Sequence, residues 1–348
     1  MYLAETPNCR IALIQWAEET GIREAIRAEL VELGHELVDF SFDGALPANC
    51  DVLFLYGPFG KYLQVLQQLD LQQKRPIVVF WNTEGLPDPK IPWFIQNLSG
   101  MVRSWIGRMN YSPHSYLRLF ATKPPFSLID DRLTRVRYLG DFFYAQRKGW
   151  LDVFFDISAV YAQFFNRHGL PAKTAPFGTF ADWYSHLQVE RDIDVIWMGK
   201  RGTDRRGQIL DQLRQQLRAH GVEIYMADGE ENPFIYDEAR NEILNRSKIT
   251  LNILRTWYDE NSLRFCMAMP NRSLCVSEPL LPHVPAYEAG KHYVAAPVAQ
   301  MTQTILHYLC HDEEREQITQ NAYELMVNQL TMRQSMQMIM QEVAKRRT

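Results

Sequence analysis

The sequence predicts an α/β protein built from two doubly wound, mainly parallel sheets, and three observations carry that expectation. Short apolar runs alternate with stretches of helical spacing along nearly the whole chain. That rhythm runs once through the first half and starts afresh near residue 190. The length, 348 residues, exceeds what one core comfortably serves, and 46% hydrophobic with 12% aromatic residues suffices for two.

The elements follow in order. CRIALIQW (9–16) is a short apolar run suited to a buried strand, and GIREAIRAELVELG (21–34) has helical spacing and a closing glycine. HELVDFSF (35–42) and DVLFLYG (51–57) read as strands, YLQVLQQLD (62–70) as a helix, and PIVVFWNTEG (76–85) as a strand ending in a polar loop. Residues 95–150 read as mixed helix and loop. LDVFFDIS (151–158) closes the half as a strand, followed by helix SAVYAQFFNRHG (158–169). After PAKTAPFGTFADWY the pattern repeats: strand DVIWMG (194–199), helix 205–221, strand VEIYMA (222–227), helix 236–247, strand KITLNIL (248–254), helix SLRFCMAM (262–269) and strand SLCVSE (273–278). A short HYVAA (292–296) precedes two or three closing helices. Strand–helix–strand units at this spacing imply parallel sheets. Domains are expected at 1–175, on the acceptor side, and 176–330, with 331–348 as a helix packing back towards the first. The carboxyl ends of the two sheets would then flank one cleft, where ligands of such folds bind.

Composition excludes several classes. Charge is 37 Lys and Arg against 41 Asp and Glu, −4 overall, which argues against a general nucleic-acid or membrane-surface binder. The five cysteines (Cys9, Cys50, Cys266, Cys275, Cys310) are odd in number and scattered, as in a reducing compartment. MYLAETPNCRIALIQW lacks the basic and apolar regions of a signal peptide, and no run of about 18 apolar residues marks a membrane span. A cytoplasmic location with no integral membrane segment and no nucleic-acid partner is expected. An anionic ligand would have to be met by a local cluster of cations.

Such a cluster stands in ERDIDVIWMGKRGTDRR (190–206). A strand apolar on both faces ends at Gly199, and Lys200, Arg201, Arg205 and Arg206 follow. A strand ending in glycine can turn sharply into a helix and expose free amide donors there. Positive charge opposes the dipole at a helix start, where Asp or Glu would be the ordinary choice. The arrangement suits a phosphate or pyrophosphate cradle, although no Walker loop is present. Otherwise the four cations are a solvated helix start. A second candidate is LNILRTWYDENSLRF (251–265), where Asn261 or Ser262 would cap a helix whose first turn carries Arg264. The bland alternative pairs Arg264 with Asp259 or Glu260. In SLCVSEP (273–279) a strand delivers Ser277 and Glu278 to its carboxyl end, where Glu278 either binds sugar hydroxyls or is an ordinary loop carboxylate.

DIDVIWMGKRGTDRR, LNILR, SLRFCMAMPNRSLCVSE and YEAGKHYV, in that order, resemble the C-terminal domain of GT-B fold glycosyltransferases, in the branch grouped around the spore maturation protein CgeB. The resemblance runs from about Pro176 to Asn328. In the first half it is architectural, helped by WNTEGLP (81–87) and APFG (175–178). It implies two Rossmann-like domains and a nucleotide-diphosphate sugar held by the C-terminal one. Gly199, Lys200 and Arg201 would face its pyrophosphate, Ser262 and Arg264 its phosphates, and Ser277 with Glu278 the ribose or sugar. Where many retaining enzymes of this fold carry a glutamate pair, this chain has Cys266 and MAMPN, and its first-strand loop is QWAEETG, which leaves retention or inversion open.

Sugar transfer needs a stabilised leaving diphosphate and an oriented or deprotonated acceptor. Cations and helix starts meet the first need, so no metal and no cofactor are expected beyond the donor itself. Asp192 and Asp194 resemble a metal-binding DxD pair but fall at the amino end of their strand, the wrong end. For the acceptor-side base Glu84, at the end of the fourth strand, is the first candidate and His114, in NYSPHSY, the second. Trp16, Glu18 and Glu19 could line the same side. The acceptor (glycan, protein or small molecule) is unspecified. A nucleotide-sugar epimerase and a non-catalytic nucleotide-sugar-binding scaffold are the alternatives.

Overall fold

The computed structural model describes residues 8–15, 21–57, 62–85, 87–110, 134–259, 262–282 and 287–347. The chain divides into two units, Met1–Ala175 with Met336–Thr348, and Pro176–Ser335. Each is a parallel sheet covered by helices, the doubly wound GT-B class of domain that the sequence predicts.

The first sheet contains β1 (Arg10–Gln15), β2 (Glu36–Ser41), β3 (Val52–Tyr56), β4 (Ile77–Asn82), β5 (Val153–Asp156) and β6 (Lys173–Thr174). Their order is β2-β1-β3-β4-β5-β6, all parallel. All five residues of β3 are buried, as a strand covered on both faces requires. The helices are α1 (Ile22–Glu32), α2 (Tyr62–Gln67), α3 (Trp93–Asn110), α4 (Thr134–Arg147) and α5 (Ala159–Arg167). Between α4, α5 and the sheet lies an aromatic core, with Phe80 and Phe142 rings 5.0 Å apart and Phe154 and Phe165 rings 4.9 Å apart. In the stretch 95–150 the described residues are helical up to Arg147, and 111–133 lie outside them. The two-residue edge strand β6 was not expected; it pairs only at Phe155–Lys173 and Asp156–Thr174, too short to leave a periodic signal.

The second sheet contains β7 (Ile193–Met198), β8 (Ile224–Ala227), β9 (Ser247–Asn252), β10 (Leu274–Ser277) and β11 (Val294–Ala295), in the order β11-β10-β9-β7-β8. Its helices are α6 (Asp204–Arg218), α7 (Asp237–Arg246), α8 (Ser262–Ala268), α9 (Val298–Cys310) and α10 (Asp312–Gln329). A core of Trp197, Leu210, Leu251, Val276 and Met301 joins the sheet to α6 and α9. The closing helix α11 (Met332–Arg347) contributes its residues from Met336 onward to the first unit, where Glu342 pairs with Lys173 at 2.5 Å.

Counted from its own first strand, the first sheet winds 2-1-3-4-5-6 and the second 2-1-3-4-5. In this order the first and third strands are neighbours whose connections leave in opposite directions, and a crevice opens beyond their carboxyl ends. In the second unit that switch point lies between β7 and β9.

Candidate functional site at the carboxyl end of the second sheet

Arg264, on α8, bridges the two strands of the switch point. Its Nε and Nη2 donate to Met198 O, the last residue of β7, at 3.2 and 3.0 Å. Its Nη1 donates to Asn252 Oδ1, the last residue of β9, at 2.5 Å. The guanidinium lies over the buried Trp197 ring, 4.2 Å from its centroid. No carboxylate contacts it among the described residues. Of the two partners considered from sequence, Glu260 lies outside the described residues, and Asp259 is engaged by Arg255 at 2.8 Å and approached by Arg206 at 3.9 Å. Of five guanidinium N–H groups three have a protein acceptor, so two remain to take an anion. Burial, reinforced by the charge of Arg206, pushes Arg264 down to about 9, so it stays a cation at neutral pH. Its acceptors are the strand ends themselves, contacts that the sequence pattern did not indicate.

Gly199 covers the group. It has φ 108°, a left-handed backbone that a side chain would strain, while a Cβ there would only touch Arg264 Nη2, at 3.5 Å. The Trp197 indole donates to Gly199 O at 2.7 Å and pins the turn. The chain then reaches α6, where Thr203 caps the helix by accepting from Arg206 N at 3.3 Å. Lys200 is exposed and its ammonium has no partner among the described residues.

Other residues chosen from sequence have different placements. Arg201 does not present a free cation: it pairs with Asp211 at 2.5 Å, Asp228 at 3.0 Å and Glu231 at 3.2 Å. These partners, Asp211 foremost, hold its guanidinium more firmly protonated than usual. Asp211 on α6 and the acids of the 228–231 turn, with Glu230 at 3.9 Å the fourth, converge on it, a placement that only the tertiary fold creates. Arg205 reaches Glu278 at 2.5 Å and Leu254 O at 2.8 Å. Glu278 also accepts from Leu254 N at 2.9 Å, which fixes a buried carboxylate at the end of β10. Ser277 is fully buried; its hydroxyl accepts from Asn252 Nδ2 at 2.9 Å and donates to Glu278 O at 2.7 Å, so it positions the strand end and is not available to a ligand. Ser262 begins α8, a helix of seven residues. Cys266 is buried, with its thiol on Phe177 O at 3.3 Å.

Sequence reasoning missed Asn252. It links Arg264 on one side to Ser277 on the other, and a buried asparagine ending a strand was the available signal. Asp192 pairs with Arg246 and Asp194 with Lys248, both at 2.6 Å. Among the described residues no group of three His, Cys, Asp or Glu could hold a metal.

In the first unit Glu84 is half-buried just after β4, and its carbonyl accepts from Asn82 Nδ2 at 3.0 Å. The same amide donates to Asp156 at 2.7 Å, at the end of β5. Burial pushes the Asp156 carboxyl up to about 7 against the two hydrogen bonds from Asn82 and Ser158 N. Asp156, absent from the sequence candidates, is the most perturbed acid described. His114, Trp16, Glu18 and Glu19 lie outside the described residues.

Residues 205–341 match the family described as Glycosyl transferase-like. No curated protein matches the chain. Among solved structures it is similar to TarM of S. aureus, at TM-score 0.57 and 10% identity over 84% of this chain and 55% of that one. Sucrose-phosphate synthase of Thermosynechococcus elongatus gives TM-score 0.60 and 9% identity, covering 97% and 98% of the two chains. HepE of Anabaena, crystallised with UDP-glucose, gives 0.59 and 10%, covering 97% and 100%. The chain spans about half the length of the TarM structures. The solved structures establish the GT-B fold, and the family match over most of the second unit supports a glycosyltransferase; neither singles out the CgeB branch.

Proposed function

We propose that the chain moves a sugar from a nucleotide-diphosphate donor to an acceptor hydroxyl or other nucleophile, with the donor diphosphate at the β7–β9 switch point. One observation carries this reading: Arg264 is a half-buried cation fixed by three neutral contacts, with two N–H groups left for an anion. Because Met198 O and Asn252 Oδ1 hold the guanidinium before any ligand arrives, little reorganisation opposes the charge that develops on the leaving diphosphate. Lys200 supplies a mobile second cation, and the amides between Gly199 and the start of α6 supply donors. Glu278, held by Arg205 and Leu254 N, keeps lone pairs for ribose or sugar hydroxyls. Arg201, Ser277 and Asp194 have no part in donor contact.

These groups supply the positive charge that transfer requires, so the reaction is metal-independent. Glu84 is the acceptor-side base, since it stays half-exposed where Asp156 is enclosed. The uridine nucleotides in the HepE complexes and in the complex of the pneumococcal O-GlcNAc transferase GtfA make UDP-sugars the first donors to try. A thermal-shift panel of UDP-, GDP-, ADP- and dTDP-sugars tests the reading. At least one should raise the melting temperature, and the same one should release nucleoside diphosphate when an acceptor is present. No shift with any of them would refute donor binding, and conversion of the donor without release would favour an epimerase.

A further inference from the structure

Helix α3 buries Ile106 and Met109 but turns most of its large apolar side chains outward. Where it comes closest to α4 its surface is small and polar: Gly100 meets Gly140 so closely that a Cβ on Gly140 would lie 2.0 Å from Gly100 O. Ser104 is buried there and donates to Asp141. The outer face carries Phe94 (71% exposed), Leu98 (64%), Met101 (47%) and Val102 (43%), with Ile95 and Trp105 beside them. At 3.6 residues per turn these positions fall within an arc of about 120°. A helix resting on a water-soluble core buries the opposite set. A close glycine contact with apolar side chains turned outward is the pattern of helices that meet lipid.

The charge around the stripe agrees. Segments 90–110 and 134–148 hold seven Lys and Arg and a single Asp, in a chain whose total is −4. That one acid, Asp141, is 6% exposed, so within these two described segments no carboxylate lies on the surface. Arg108 and Arg147 edge a groove of about 320 Å³ lined by Leu98, Met101, Val102 and Trp105. No described helix is long and apolar enough to cross a membrane.

We propose that the α3–α4 hairpin docks the protein on an anionic lipid surface, with the α3 stripe at the acyl boundary and the flanking cations among the headgroups. A second copy of the chain fits less well, because a two-fold contact would set this basic patch against itself. The mild overall acidity, which argued against a membrane-surface binder, conceals a local reversal of sign.

Flotation of the full chain with phosphatidylcholine vesicles, with and without phosphatidylglycerol, tests this. The wild type should float with the anionic vesicles and not with the neutral ones, and added salt should weaken the association. Phe94→Gln with Leu98→Gln should lower the bound fraction about tenfold or more, and Arg147→Gln with Lys148→Gln should abolish the preference for anionic lipid. Both pairs are on the surface, and each variant should keep the wild-type circular dichroism and nucleotide binding, which separates this outcome from failure of the donor site. The proposal is overturned if the wild type ignores anionic vesicles, or if the Phe94/Leu98 variant binds them unchanged. It is also overturned if sedimentation shows a wild-type dimer that the Phe94/Leu98 variant loses, since the face then belongs to a second copy.

Discussion

Replacing Arg264 by Met isolates the proposed role of its charge. The free protein holds this guanidinium at a cost: lowering it from 12.5 to about 9 corresponds to roughly 5 kcal/mol against the charged form. Removing it relieves that term but leaves Met198 O and Asn252 Oδ1 without their donor, at about 1–3 kcal/mol each. The two effects offset, so Arg264→Met should unfold in urea within about 3 kcal/mol of wild type. Ligand binding has no such offset. A charge-assisted contact to phosphate contributes about 1.5–3 kcal/mol, so affinity for the nucleoside diphosphate should fall roughly 10- to 150-fold. Turnover should fall further, by about 10²–10³, because the contact strengthens as the leaving group gains charge. Arg264→Lys should recover little, since an ammonium cannot span both strand ends. Affinity for the bare nucleoside should hardly change, which distinguishes lost charge from a collapsed site. Calorimetric titration of both ligands, with urea curves alongside, measures all of this. A folded Arg264→Met protein with unchanged diphosphate affinity and turnover would reduce Arg264 to a packing element.

Arg201→Met should lower stability by about 1 kcal/mol, through loss of its acid cluster, and leave donor affinity within about twofold of wild type; a large loss of affinity would return Arg201 to the donor site. Lys200→Ala should do the reverse, weakening diphosphate binding about tenfold with the urea midpoint unmoved. Asp156 makes stability depend on pH: its carboxyl titrates near 7 in the folded protein and near 3.8 when unfolded, so between these values only the folded state keeps the proton. Stability should therefore fall as pH rises from about 4 to 7, by as much as roughly 4 kcal/mol from this group, and urea midpoints of Asp156→Asn should show a flatter profile. An unaltered profile in the variant would contradict the burial argument. Turnover should survive EDTA; complete loss with rescue by Mg²⁺ would show that a metal shares the charge.

Much of the fold was legible because buried parallel strands are nearly continuous apolar runs. VLFLY at β3 and IDVIWM at β7 announce themselves in this way, and the helices between them keep their own period. Helix α3 was obscure for a related reason: several of its large apolar residues face outward while glycine and serine make its closest contact with α4, so the usual reading of periodicity points the wrong way. At the site, strand ends and Gly199 could be located by pattern, but which cation is free could not. Arg201 and Arg264 look alike in sequence; one meets acids from two separate segments, the other two neutral strand ends. Partners that lie 10–30 residues away for Arg201 and 12–66 for Arg264 leave no local trace.

The central claim is that the switch point between β7 and β9 holds a nucleoside diphosphate through Arg264. Calorimetric titration of the wild type and Arg264→Lys with UDP, GDP, ADP and dTDP, each beside its nucleoside, tests it most directly. The account predicts that one diphosphate binds the wild type at least about tenfold more tightly than its nucleoside, and that this difference nearly vanishes in the variant. No diphosphate binding in the wild type, or the same difference in both proteins, would contradict it.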